Sequence, residues 1–248
     1  MPRILLTNDD GIGAPGLRAL EAAMASLGEV WVVAPHGEQS ATSRAITLRH
    51  PLRIVDAGPR RYAVEGTPAD TVMMAVNQIL AFRPDLLVSG INGGPNLGEN
   101  IYYSGTVAAA AEGAKYGIPS IAVSVNARAD IDFAQTAAFA VRLGGEVLEK
   151  GLADGVALNV NVPHPWDGGV SITRQSRKIS RNVMIEGRDP RGRSYYWIDE
   201  DVPLADAEPG TDYAAIRDGD ISITPLRFDH TADEMFGVLH QWIGRLHR

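Results

Sequence analysis

Five short runs in this chain are mostly apolar and do not alternate with polar residues along their length: 3–7 (RILLT), 29–35 (EVWVVAP), 85–90 (DLLVSG), 120–125 (SIAVSV) and 155–163 (GVALNVNVP). A strand with one wet face alternates, whereas a strand covered on both faces does not. Helical patterns fill the gaps between them. The stretch 16–28 puts Leu17, Leu20, Met24 and Leu27 on one face and stops at Gly28. In 66–80, Thr67 is placed to cap a helix, with Pro68 at its first position, Asp70 in its first turn, and Val72, Val76, Ile79 and Leu80 as the buried stripe. An alanine-rich helix is predicted from Ser104 to Gly117, and another from Asp132 to Lys150. Buried strands joined by helices make a parallel sheet with helices on both faces.

The expected fold class is therefore α/β, with three layers and a mostly parallel, Rossmann-like sheet. At 248 residues the chain has room for one such domain and a small appendage. The character changes after Pro163. The segments VSITRQ, SYYWI and ISITPL are β-branched or aromatic and are separated by polar, glycine-rich stretches, which predicts hairpins. We therefore divide the chain into an α/β core, 1–163, and a β-rich C-terminal extension with a C-terminal helix, 164–248. Arg174, Arg177, Lys178, Arg181, Arg188, Arg191 and Arg193 make this extension locally basic, as expected of a solvated hairpin or a subunit contact. Its tail has a capping-box pattern at Thr231 and Glu234, then Met235, Val238, Leu239, Trp242 and Leu246 at helical spacing. Such a stripe belongs to a core or a subunit interface.

Charge and composition exclude several classes of function. A net charge of −7 disfavours nucleic-acid polymers and anionic membranes, which require positive fields. With no cysteine, there is no thiol nucleophile and no zinc-thiolate site. No basic leader precedes an apolar run, and no run approaches the roughly 18 apolar residues of a membrane helix. The expectation is a cytoplasmic protein.

The first strand runs into Asn8-Asp9-Asp10 and then Gly11-Ile12-Gly13-Ala14-Pro15-Gly16, a G-x-G-x-x-G turn. In open α/β sheets, ligands bind at this end of the strands. Read as a dinucleotide fingerprint, Gly11, Gly13 and Gly16 would suit a nicotinamide-dependent dehydrogenase. Asp9 and Asp10 would then repel the pyrophosphate, and the second strand ends in Ala34-Pro35 with no acid for the ribose. Both objections disappear if a divalent cation lies between the carboxylates and a phosphate. Mg²⁺ or Mn²⁺ takes one or two carboxylates together with neutral oxygens and water.

Neutral oxygens are present at the other strand ends. Ser40, Thr42 and Ser43 follow the second strand, and Asn92 and Asn96 follow DLLVSG. Ser104, Gly105 and Thr106 open the alanine-rich helix, whose unpaired N–H groups and positive dipole end can cradle a phosphate.

With these residues in view, the chain resembles the SurE (survival protein E) nucleotidase family almost from end to end. The matching segments are ILLTNDDG, APHGEQSA, GTPADTV, SGINGGPNLGENIYYSGTVAAAAEG, GIPSIAVS, NVNVP, RDPRGRSYYWI, GTD and ISITPL. The stretch after Ser40, ATSRAITLRHPLRI, departs from the family's richer glycine or serine content. The resemblance implies one divalent metal ion per subunit, Mg²⁺ or Mn²⁺, on Asp9, Asp10, Ser40 and Asn92, with Asn96, Ser104, Gly105 and Thr106 around the phosphate. It implies hydrolysis of nucleoside 5′-monophosphates, and of 3′-monophosphates, by Asp9 and Asp10. It also implies a homodimer or homotetramer with an exchanged C-terminal segment. A dehydrogenase and a non-catalytic nucleotide sensor are the alternatives. No general acid stands out among His36, His50, His164, His230, His240 and His247.

Overall fold

The computed structural model describes residues 1–127, 129–177, 181–201, 203 and 207–246. β1 (Arg3–Thr7), α1 (Pro15–Met24) and β2 (Glu29–Pro35) form the expected parallel βαβ unit. Next come β3 (Ile54–Gly58) and β4 (Arg61–Val64), an antiparallel pair that joins the sheet through β4 beside β2. The core continues with α2 (Pro68–Met74), β5 (Leu86–Gly93), α3 (Gly105–Lys115), β6 (Ser120–Asn126), α4 (Ala134–Lys150) and β7 (Val156–Pro163). The remaining elements are β8 (Val170–Ile172), β9 (Arg181–Arg188), β10 (Ser194–Asp201), α5 (Asp212–Arg217), β11 (Ile221–Arg227) and α6 (Phe236–Leu246).

Nine strands make one sheet in the order β3-β4-β2-β1-β5-β6-β7-β11-β8. The six from β4 to β7 run parallel, and β3 on one side and β11 with β8 on the other run the opposite way. The apolar runs have the double burial they require. Ile4 and Leu6 pack with Leu17, Leu20, Met24, Phe139 and Ala140 of α1 and α4. Leu5 and Leu87 face the other way, toward Val72 of α2, Ala75 just after it and Ala109 of α3. The α/β three-layer fold is thus the one expected.

Local chemistry sets the helix ends. Thr67 and Asp70 make a reciprocal capping box at α2, which runs past Met74 into one turn of π-helix, 75–79. The Ser104 hydroxyl caps α3 by accepting from Val107 N. α1 ends at Met24, four residues before Gly28, where any Cβ would strike the Pro2 carbonyl oxygen.

The segment after Pro163 departs from the hairpin expectation. Among the described residues of this segment, β9 and β10 form the one hairpin, apart from the main sheet. β8 lies parallel to β11, and β11 lies antiparallel to β7, so the main sheet continues across residue 163. These pairings link segments distant in sequence, and strand spacing alone does not reveal them. The capping box expected at Thr231 is also absent. The Thr231 N–H and hydroxyl both donate to Asp229 Oδ1, and α6 starts later, after a 3₁₀ turn at Asp233–Met235. Lys178 and His247 lie outside the described residues. Among the described residues, no helix is long and apolar enough to cross a membrane.

Candidate active site at the carboxyl edge of the sheet

Asn8 sets the turn after β1. Its amide donates to the Gly11 carbonyl at 3.0 Å and accepts from Gly11 N at 3.2 Å. Gly11 has φ +98°, and a Cβ there would press on the backbone of Gly37. The two carboxylates between these anchors are held differently. Asp9 is only 5% exposed and accepts a 2.5 Å hydrogen bond from the Thr106 hydroxyl in the first turn of α3. Gly105 makes that approach possible, because a Cβ there would lie 2.7 Å from Asp9 Cβ and 2.9 Å from Oδ2. Burial raises the pKa of Asp9, and the Thr106 bond opposes the rise.

Asp10 is half-buried, and no described residue donates to its carboxylate. Burial first, then the charges of Asp9 and Glu38, push its pKa up to about 6. Clustered carboxylates with so few donors favour a cation. Among the described residues, no group of three or more His, Cys, Asp or Glu could hold a metal. A cation here would therefore rely on two carboxylates supplemented by neutral oxygens, a hard donor set that fits Mg²⁺ or Mn²⁺.

The neutral donors arrive on two loops. The loop after β2 is tied to the first, because Gln39 N donates to the Asp9 carbonyl at 2.7 Å. Ser40 is exposed and donates to Glu38 Oε1 at 2.9 Å. Ser43 N donates to the Tyr103 carbonyl and its hydroxyl to that of Tyr102. Arg44 reaches Glu112 on α3 at 4.0 Å. Asp70 fixes the far end of this loop by accepting from Thr47 N and Oγ1, at 2.9 and 2.7 Å. At the end of β5, Asn92 donates through Nδ2 to the Gly94 carbonyl at 2.7 Å, and no described residue donates to its oxygen. Asn96 is buried and its amide pairs with the Ser124 hydroxyl at 2.7 Å. Since a hydroxyl can donate or accept, one end of that amide is engaged and the other remains for a ligand.

Asp9, Gly105 and Thr106 are thus in direct contact, and Ser104 caps the helix they begin. Ser40 is tethered to them through Gln39, whereas Asn92 and Asn96 sit on the neighbouring strand end. Two of the three glycines of the G-x-G-x-x-G turn serve protein packing, and Gly13 faces open space. Gly11 abuts Gly37, and a Cβ at Gly16 would strike the Ile91 carbonyl oxygen. No dinucleotide cradle remains there. Sequence reasoning passed over Asp70 and Asp212 as anchors. Buried Asp212 accepts from Gly98 N at 2.8 Å and Ser176 N at 3.0 Å. His36 is exposed at the end of β2, with its N–H bonded to the Val64 carbonyl.

Fold and site define a class: α/β proteins whose sheet edge gathers acidic and neutral oxygens against a helix N-terminus. The chain belongs to the SurE family, since the family model described as Survival protein SurE matches residues 4–182. It is 48% identical to the 5′-nucleotidase SurE of Geotalea uraniireducens, over 97% of this chain and 98% of that one. To the 5′-nucleotidase SurE of Myxococcus xanthus it is 49% identical, over 97% and 93%. The crystal structure of the SurE protein from Aquifex aeolicus superposes with a TM-score of 0.88 at 40% identity, covering both chains completely.

Proposed function

We propose that this protein is a divalent-metal-dependent nucleotidase that hydrolyses nucleoside 5′-monophosphates, and also 3′-monophosphates, to nucleoside and phosphate. The observation that carries this reading is the contact of Asp9 with Gly105 and Thr106, which sets a carboxylate pair against a helix N-terminus. The names of the nucleotidase relatives support it. Asp9, Asp10, Ser40 and Asn92 would hold one Mg²⁺ or Mn²⁺. When bound, such an ion supplies charge neutralisation and polarises the phosphoryl group.

The remaining work belongs to the chain. The N–H groups opening α3, together with Asn96, receive the phosphoryl oxygens. Asp9 is buried and engaged by Thr106, so its role is to hold. Asp10 has no donor among the described residues and is the group able to orient an attacking water and take its proton. The hairpin 181–201 and the tail beyond β11 serve assembly into a dimer or tetramer, with the tail exchanged between subunits. Apolar surface supports this: Trp197 is 67% exposed and Trp242 is 49% exposed. The bulk of 1–163 carries the site, and we place the protein in the cytoplasm.

Phosphate release from a panel of nucleotides, with and without EDTA, tests the reading. Release that stops with EDTA and returns with Mg²⁺ or Mn²⁺ is expected. Saturable binding without release would instead indicate a nucleotide sensor.

A further inference from the structure

Two asparagines of β7 have no part in the site as described so far. Asn159 and Asn161 stand two residues apart on one face of an otherwise apolar strand, and both are buried. Buried amides tend to be satisfied, and three of this pair's four side-chain polar atoms are satisfied on a single residue, while Asn159 Oδ1 has no partner among the described residues. Asn161 Oδ1 accepts from Asn96 N at 2.7 Å, and Asn161 Nδ2 donates to the Asn96 carbonyl at 3.1 Å. One side-chain amide thus grips both backbone groups of Asn96, as a neighbouring strand would. Asn159 Nδ2 donates to the same carbonyl at 2.8 Å. With Ser124 on its side chain, Asn96 is fixed at three of its polar groups.

This concentration is local. Asn96 follows Gly93, Gly94 and Pro95; Gly94 has φ +128°, and the Pro95 ring restrains only its own φ, so the stretch has limited local rigidity. A loop that has to aim one amide at a ligand therefore takes further rigidity from β7, two strands along the sheet from β5. We propose that Asn161, assisted by Asn159, is a positioning residue that aims Asn96 at the phosphoryl group of the substrate. The proposal rests on the reading of Asn96 as a phosphate ligand. Loss of the grip would let Asn96 shift while leaving the carboxylates in place, and misplacements of about 1 Å cost on the order of 100-fold in rate.

The test compares Asn161→Ala and the milder Asn159→Ser with Thr173→Ala. Thr173 shares the buried polar layer, bonding Ser222 and Thr224, which lie opposite Asn161 and Asn159 on β11, and among the described residues its hydroxyl bonds none of the site residues. All are assayed as the full chain, below their melting temperatures. Three readouts are taken: Mn²⁺ binding by electron paramagnetic resonance, orthophosphate binding to the Mn²⁺-loaded protein by calorimetry, and kcat and KM on AMP. For Asn161→Ala, orthophosphate affinity is expected to fall about 10-fold and kcat/KM about 30- to 100-fold, with Mn²⁺ affinity within about twofold. Asn159→Ser is expected to fall between this and Thr173→Ala, which loses thermal stability but keeps both affinities. The inference is overturned if Asn161→Ala, or Asn159→Ser should the former not fold, retains orthophosphate affinity. It is equally overturned if Thr173→Ala loses as much. A wild-type protein that neither hydrolyses AMP nor binds orthophosphate would overturn the parent reading, and this inference with it.

Discussion

The edge around Asp9 and the C-terminal arm dispose of their side chains in opposite ways. At the edge, polar groups are drawn inward. Asp9, Thr106, Asp70, Asp212 and Asn161 are all buried, and each bonds to a named partner. In the arm, apolar groups are left outside, with Tyr196, Trp197 and Ile198 on β10 and Phe236, Trp242 and Leu246 on α6 all exposed. Burying polar groups costs free energy that only hydrogen bonds offset, and exposing apolar groups costs free energy that only a partner surface recovers. That contrast is what the proposed function calls for, a ligand at the first region and another protein chain at the second.

Four experiments would break or sharpen this contrast. Asp9→Asn should have the largest effect, lowering kcat on AMP by about 1,000-fold with the fold retained by circular dichroism. Activity within tenfold of wild type would remove Asp9 from the centre of the site. Gly105→Ala forces a Cβ onto Asp9 and should cost about 100-fold in activity together with about 1–3 kcal/mol of stability. A fully active, fully stable variant would mean that Asp9 has room to spare. In the other region, Trp197→Ser with Trp242→Ser should shift sedimentation toward smaller species while activity per chain changes less than about threefold. An unchanged sedimentation coefficient would deny the arm its role in assembly.

The smallest effect concerns pH. The Asp10 carboxyl rises from its ordinary value of 3.8 to about 6 in the folded chain. A raised carboxyl means that the folded state holds a proton the unfolded state has already lost. This group therefore favours folding at low pH, and that contribution disappears as pH rises through 6. Manganese should offset the resulting repulsion. It is expected to raise the melting temperature by about 2–4 °C at pH 8 and less at pH 5. A larger shift at the lower pH would contradict the assignment of Asp10.

The doubly buried strands were legible because β1, β2, β5, β6 and β7 are mostly apolar and lack sustained polar alternation, and the three-layer core follows from them. β3 was not, since its residues are mostly exposed at a sheet edge and carry little hydrophobic signal. The seating of β8 and β11 in the main sheet depends on partners far along the chain, to which local pattern is blind. At the site, Asp9, Asp10, Ser104 and Thr106 announced themselves by lying at strand ends and a helix start. The supporting set did not, because Asp70 reads as a capping residue and Asp212 as a turn residue. Asn159 and Asn161 did leave a trace, two amides in register within an apolar strand, whose meaning appears only once β7 lies beside the loop of Asn96.

The empty side chain of Gly105 makes two distant positions answerable to each other. A bulkier residue at the head of α3 would push the tip of β1 aside. The nearest atom is the Cβ of position 9, which every residue but glycine carries, and Pro68 closes the other side, so the space at position 105 stays shut even if the acid is exchanged for its amide.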